Sequence, residues 1–292
     1  MKKNTNAKLK KVSKIQRLSE KYHNSNKASV AVYLTIRTCI IAIMIRQAFI
    51  GEWHNVFLCV LSLVLLFIPF FLRTTFRINF PGFLEISVFV FVFAAEILGE
   101  MANFYGHIPF WDTMLHTVTG FLAASVGFGM IDLLNTHSKK INMTPLFISL
   151  VSFCFSMTVG VVWEFAENTV DNLLGFDTQK DRIVTHISSV ALNPDGANKE
   201  VKINGIAYTV LYDAYGNELA LIEDGYLDIG LKDTMKDMWV NMLGAIAFSA
   251  MGFLYVRRRD NKFVTRFDIT PLPPAPKHDE YIENMPDHNA HT

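Results

Sequence analysis

Apolar residues along the chain are gathered into blocks, and short polar stretches separate the blocks. Each block is roughly 20 residues long, which is the length that a helix rising about 1.5 Å per residue needs to cross a bilayer core of about 30 Å. The pattern predicts an all-α membrane protein, a bundle of six transmembrane helices. By residue number, the predicted spans are 29–50, 53–72, 83–104, 112–134, 145–168 and 234–256.

The longest polar segment, residues 172–233, joins the fifth and sixth predicted spans and carries strand signals of its own. Asn204-Gly205 is a strong hairpin signal, and the sequence YGN at 215–217 is a second turn signal. We therefore expect a small antiparallel β-meander at about 200–222, inserted in the loop on the extracytoplasmic side.

Charge gives the expected orientation, although the formal net charge is +0. Residues 1–28 form a basic leader with a single acid, Glu20. Because Lys and Arg favour the cytoplasmic side of a membrane, we expect both termini in the cytoplasm, with a transmembrane domain at 29–256 and a disordered, proline-rich tail at 257–292. The same side then receives the basic residues near later span ends: Arg73, Arg77, Lys139, Lys140, Arg257, Arg258 and Arg259.

Polar side chains recur at helical spacing in predicted spans three to six, towards the end that is expected to face outward. A carboxylate or imidazole at membrane depth is costly unless it is paired, protonated or bound to a cation. The pattern therefore indicates an outward-facing polar cavity walled by these spans. Its candidate residues are Glu96 and Glu100 in span three, Asp112 and His116 in span four, Glu164, Glu167, Asn168 and Asp171 in span five, and Asp233, Asp237 and Asn241 in span six.

Three interpretations of this cavity are open. In the first, carboxylates and His hold a divalent metal that activates water against a phosphate or ester, with Glu164, His116 and Asp237 as the catalytic candidates. In the second, the acids form a proton or cation path of a transporter. In the third, they are polar contacts that hold the helices of a scaffold together. The candidate metal ligands are Asp112, His116, Glu164, Glu167, Asp171, Asp233 and Asp237.

Three polar motifs resemble the YjdF-type family of bacterial multipass membrane proteins. They are FWDTMLHTVTGF at 110–121, WEFAENTVDNLLGFDTQKDR at 163–182 and DTMKDMWVNMLGA at 233–245. A fainter similarity links the same pattern to VanZ-like proteins, which are associated with glycopeptide tolerance, although the loop after span five is longer here. The resemblance marks eight motif positions without assigning them a chemistry: Asp112, His116, Glu164, Glu167, Asp171, Asp233, Asp237 and Asn241.

We therefore expect a multipass protein of the bacterial plasma membrane. Its leading hypothesis is a metal-dependent enzyme that acts on lipid or envelope precursors at the outer leaflet, and the runner-up is a proton- or cation-coupled transporter. The expected partners are the lipid bilayer and a lipid or envelope-precursor substrate, and the sequence is compatible with a homo-oligomer. The basic residues of the leader lack interleaved aromatic residues, so no nucleic-acid partner is expected.

Overall fold

The structure is a computed structural model and describes residues 27–138, 142–258 and 264–271. Six of its helices are long and apolar enough to cross a membrane, which confirms the predicted fold class. Their bounds are Lys27–Ile50, Trp53–Phe76, Gly82–Met101, Trp111–His137, Pro145–Leu174 and Leu231–Arg258. Residues 1–26 of the predicted leader and residues 259–263 and 272–292 of the predicted tail lie outside the described residues.

Two of the spans change helix type or restart on the way. The helices in chain order are α1 Lys27–Ile50, α2 Trp53–Leu65, α3 Ile68–Phe76, α4 Gly82–Val92, α5 Phe104–His107, α6 Trp111–His137, α7 Pro145–Leu174 and α8 Leu231–Arg258, and a π-helical segment, Phe93–Met101, continues α4. The second span restarts at Pro69, because proline in the first turn of a helix has no hydrogen bond to lose there.

Contacts divide the chain into two compact units. The first contains α1 to α4, the π-helical segment, the end of α6 from Gly129 and the described C-terminal residues. Its apolar core is built around Ile40, Cys59, Leu66 and Phe89.

The strands are β1 Ile78–Asn79, β2 Arg182–Val184, β3 His186–Ser189, β4 Val201–Asn204, β5 Tyr208–Tyr212, β6 Glu218–Glu223, β7 Tyr226–Asp228 and β8 Thr270–Pro271. In the first unit β1 pairs antiparallel with β8. Residues 264–271 therefore carry structure where the sequence predicts a disordered tail. The reason is apolar burial, since Phe267 and Ile269 are buried and Phe267 packs edge-to-face on Phe83 at 5.3 Å between ring centroids.

The second unit contains α5, α6 up to Phe128, α7, the segment 175–230 and α8. We call the end of α6, α7 and α8 that carries this segment the loop end. Within the segment, β2 pairs with β7, β3 with β4, and β5 with β6, all antiparallel. The predicted turn at 215–217 is confirmed, because Asp213 and Asn217 close the connection between β5 and β6.

The predicted hairpin at Asn204-Gly205 is wrong in its pairing, since β4 pairs with the preceding strand β3 and not with the following strand β5. A two-residue type I′ turn needs positive φ at both central residues. Gly205 has φ of 69°, whereas Asn204 is not among the positive-φ residues of the described chain. The strands are therefore present, but they do not form a simple consecutive meander.

Small residues bring α6 and α8 into backbone contact. A Cβ added to Gly120 would lie 1.9 Å from the carbonyl oxygen of Asn241, and one added to Gly244 would lie 2.0 Å from that of Thr117. On the neighbouring helix α7, the Ser156 hydroxyl donates to the Gly120 carbonyl at 2.7 Å. Small residues and interhelical hydrogen bonds are the usual means of holding membrane helices together. This crossing fixes the positions of the polar side chains one to two turns nearer the loop end.

Candidate functional site

Three predicted residues from two helices meet at the loop end. Asp112 and His116 lie four residues apart on one face of α6, and His116 Nε2 is 3.3 Å from Asp112 Oδ1. Asp237 of α8 reaches the same ring, with its Oδ2 3.7 Å from His116 Nε2. Each residue offers one ligand atom, and these atoms all lie within 4.8 Å of one another. We call Asp112, His116 and Asp237 the ligand triad.

A lysine that the sequence interpretation did not include lies beside the ligand triad. Lys236 Nζ donates to Asp112 Oδ2 and lies 3.5 Å from Asp237 Oδ1 and 3.9 Å from Asp233 Oδ1. Each triad carboxylate therefore has one oxygen towards His116 and the other towards Lys236. The available signal was the position of Lys236 inside the motif DTMKDM, three residues after Asp233.

Asp233, a predicted metal ligand, is buried and paired with basic residues. The Arg182 guanidinium, on β2, donates to its Oδ1 from Nε at 3.1 Å and also from Nη2. The structure therefore places Asp233 next to the ligand triad but between Arg182 and Lys236. Arg182 ends the motif at 163–182, but its position in the sequence gives no indication that β2 returns to α8.

Helix α7 adds two carboxylates to this end of the unit. Glu164 is 6% exposed, lies next to Thr234 and Gln179, and leaves its Oε2 buried without a hydrogen-bond partner. Glu167 accepts a hydrogen bond from Trp163 Nε1 at 2.8 Å. Both carboxylates lie close enough to His116 to interact with its charge. A buried carboxylate oxygen without a donor is costly in a purely structural role.

Asp171 and Asn168, also predicted for the site, anchor the loop to the end of α7. Asp171 accepts hydrogen bonds from the Thr178 amide at 2.7 Å, the Thr178 hydroxyl at 2.6 Å and the Gln179 amide at 2.9 Å. Asn168 Nδ2 donates to Gln179 Oε1 at 2.9 Å. Gln179 Nε2 in turn donates to the Thr234 hydroxyl at 2.6 Å, so this loop ties α7 to α8.

Asn241 lies one turn from Asp237, on the side away from the loop end, and is 2% exposed. Its side chain occupies the space left by a glycine of α7, because a Cβ on Gly160 would be 2.6 Å from Asn241 Nδ2. Met157 Sδ lies 3.8 Å from Nδ2, and Oδ1 has no hydrogen-bond partner. The predicted place of Asn241 in the polar cavity stays a prediction, whereas these contacts show that its side chain packs against α7.

Glu96 and Glu100 lie in the π-helical segment of the first compact unit. Glu96 is buried. Their participation in a common site with the ligand triad stays a prediction.

The donor set of the ligand triad suits a divalent cation. One imidazole and two carboxylates are ligands that Zn²⁺ and related ions accept, and three protein ligands leave further coordination positions open. Five carboxyl groups and three basic side chains, His116, Lys236 and Arg182, lie at this end of the unit, so acidic groups outnumber basic ones here. The carboxylates are those of Asp112, Glu164, Glu167, Asp233 and Asp237.

Comparisons with known proteins agree with this architecture. Residues 31–258 match the family model DUF2238, which is described as a predicted membrane protein. A Thermotoga maritima protein named "Uncharacterized protein" is 33% identical over 90 residues, which cover 30% of this chain and 45% of that protein. The chain thus matches less than half the length of this relative, and no solved structure matches it. The YjdF-type resemblance is consistent with the family match, which extends over most of the sequence: the chain belongs to the DUF2238 family of membrane proteins.

Proposed function

We propose that the protein is a metal-dependent hydrolase of the plasma membrane, with the ligand triad as its metal site. The observation that supports this proposal is the convergence of Asp112, His116 and Asp237 within 4.8 Å at the loop end. The site lies at the loop end of α6 and α8, next to the segment 175–230. Its substrate class is accordingly a lipid or an envelope precursor whose phosphate or ester group lies at the membrane boundary.

The residues around the triad have distinct roles in this proposal. A divalent metal, when bound, would supply an activated water and polarise the phosphate or ester. Glu164 is the candidate general base, because its buried Oε2 is an acceptor without a donor and lies near His116. Glu167 places a further carboxyl group next to Glu164 and accepts a hydrogen bond from Trp163 Nε1.

Packing beyond the triad favours an enzyme over a transporter. The α6–α8 crossing at Gly120 and Gly244 brings the two backbones together one to two turns from the site, on the side away from the loop end. Further from the loop end, Phe128 and Phe248 are almost completely buried and pack edge-to-face at 5.8 Å between ring centroids. A transporter must open a path through this part of the bundle, whereas a hydrolase needs access from one side only.

The proposal includes an orientation, with the loop end outside and both termini in the cytoplasm. Helix α8 begins at the loop end and finishes with Arg257 and Arg258 in its last turn. Asp237 and Arg257 are 20 residues apart on this helix, which is about 30 Å and matches the thickness of a bilayer core, so the arginines belong on the opposite side of the bilayer from the triad. The positive-inside rule then supports an outward-facing site.

Metal analysis of the purified protein tests the proposal. We expect one divalent metal per chain in detergent, measured by elemental analysis after dialysis against trace metal. The variants His116→Ala and Asp237→Asn should lose it, whereas Asp213→Asn, in the turn between β5 and β6, should keep it. The metal-loaded protein should then hydrolyse a lipid phosphate or ester in a substrate panel. Folded wild-type protein that takes up no metal would overturn the proposal.

A further inference from the structure

Lys236 and Arg182 form a basic pair at the edge of the proposed metal site. Lys236 is 36% exposed and Arg182 is 45% exposed, measured on their side chains. The carboxylate between them, Asp233, is buried, with Oδ1 accepting from Arg182 Nε at 3.1 Å and lying 3.9 Å from Lys236 Nζ. Two cations held on one buried acid, with their outer faces in contact with solvent, are suited to receive an anion.

The ligand triad separates a metal side from a lysine side. Asp112 Oδ1 and Asp237 Oδ2 face His116 Nε2, and these are the oxygens available to a metal. Asp112 Oδ2 and Asp237 Oδ1 face Lys236 Nζ. A metal and the ammonium group would therefore share the same two carboxylates from opposite sides, and each cation weakens the attraction of these carboxylates for the other.

We propose that Lys236 and Arg182 are the recognition element for a phosphate group of the substrate, and that they take it when the ligand triad holds a metal. The inference rests on the proposed function. Before the metal binds, Asp112 and Asp237 neutralise the charge of Lys236. A divalent metal neutralises the triad carboxylates and leaves Lys236 free to bind a phosphate oxygen. Arg182 supplies a second set of donors to the same anion.

Thermodynamic linkage gives the proposal a signature. If the metal favours phosphate binding, phosphate must tighten metal binding by the same factor, and such factors are typically about 5- to 150-fold. We expect inorganic phosphate at millimolar concentration to lower the Kd of the purified full-length protein for Zn²⁺ about tenfold. The Kd is measured by competition with a fluorescent zinc chelator.

The variant Lys236→Gln separates this role from a structural one. Removing the competing cation should tighten Zn²⁺ binding in the absence of phosphate by roughly tenfold, and should abolish the phosphate effect. Arg182→Gln should reduce the phosphate effect alone. Lys202→Gln is the matched control, because Lys202 forms a surface ion pair with Glu200 at 2.9 Å in the strand-bearing segment. It should behave as wild type.

Two phosphate sources distinguish a lipid headgroup from a soluble phosphate. If dihexanoyl phosphatidic acid lowers the Kd for Zn²⁺ more than inorganic phosphate does, the bound group is a lipid headgroup. Equal effects indicate a free or soluble phosphate, and both outcomes support the recognition element. Zinc that binds with no response to either phosphate overturns it while leaving the metal site intact. Weaker Zn²⁺ binding in Lys236→Gln overturns it as well, since Lys236 then only holds the ligands in place. Absence of any Zn²⁺ binding removes both this inference and the proposed function.

Discussion

At the scale of single residues, acids on one helical face have different surroundings. Glu164, Glu167 and Asp171 follow one another along α7, and sequence spacing alone treats them as equivalent candidate ligands. In the structure these acids have different contacts according to their position along the helix. Glu164 leaves a carboxylate oxygen without a donor, whereas Asp171 uses both of its oxygens on loop residues 178 and 179. Only the folded loop could show this, because its hydrogen bonds join residues seven and eight positions apart in irregular backbone.

The substitution Asp171→Ala tests whether this carboxylate anchors the loop or binds metal. Removing it leaves the Thr178 and Gln179 amides without their acceptor, which we expect to cost about 1–3 kcal/mol. Limited proteolysis near residues 177–181 should become faster and the Tm should fall, while the metal content stays at the wild-type level. Loss of metal with an unchanged loop would instead assign Asp171 to the metal site, as the sequence spacing suggested.

The stability of the turn between β5 and β6 should depend on pH through Asp213, which lies outside the membrane-spanning helices. Hydrogen bonds from the Asn217 side chain, and then from the backbone, hold the pKa of Asp213 below its ordinary value, near pH 4. A lowered folded-state pKa means that the stabilising contribution is present above that ordinary value and is lost as the pH falls through the folded pKa. Hydrogen exchange of the Asn217 amide, corrected for intrinsic rates, should therefore lose protection as the pH falls below about 4. The variant Asp213→Asn should show no such transition.

At the scale of elements, the α6–α8 crossing determines where the ligand triad can form. Asp112 and His116 come from one helix and Asp237 from the other, so the distance between the two backbones sets the distance between the ligands. Gly120 and Gly244 permit backbone contact there. The site should therefore be sensitive to residues that never touch it.

Two glycines of α8 form a matched pair for this prediction. Alanine at Gly244 would place its Cβ 2.0 Å from the Thr117 carbonyl oxygen, which can move only with α6. Alanine at Gly252 would meet the Phe128 ring at 2.7 Å, which can turn within its side chain. Both substitutions raise the intrinsic helix propensity by the same amount, because each replaces glycine with alanine inside the same helix. We expect Gly244→Ala to cost about 1–3 kcal/mol more through overpacking, and to weaken Zn²⁺ binding. Equal Tm values and equal metal affinities for the two variants would contradict this role of the crossing.

The sequence predicts the helices of this protein better than it predicts the contacts between them. Apolar blocks of membrane-spanning length determine the spans, and i, i+4 spacing places Asp112 and His116 on one face. The partners of Asp233 could not be predicted this way, since Arg182 reaches it through strand β2 and loop geometry. The strong turn signal at Asn204-Gly205 also misled, because the preceding strand β3 offered β4 another partner.

At the scale of the whole molecule, orientation decides which compartment supplies the substrate. The continuous helix α6 connects the ligand triad at its start with His137 at its end. Its 27 residues are about 40 Å long, which is enough to separate the two ends by a bilayer. The hydrolase proposal requires the loop end to face outward, because envelope precursors are presented on that side.

Cysteine labelling in intact cells tests this orientation directly. The native cysteines, Cys39, Cys59 and Cys154, lie in membrane-spanning helices and are replaced by alanine to give a blank background. Tyr215→Cys then places a thiol at the 92% exposed tip of the turn between β5 and β6, and His137→Cys places one at the far end of α6. A membrane-impermeant maleimide should label Tyr215→Cys in intact cells and His137→Cys only after lysis. The reverse pattern would place the ligand triad on the cytoplasmic side. Its substrate would then have to be a group exposed to the cytoplasm. The outward-facing part of the proposed function would be wrong even if the metal site were retained.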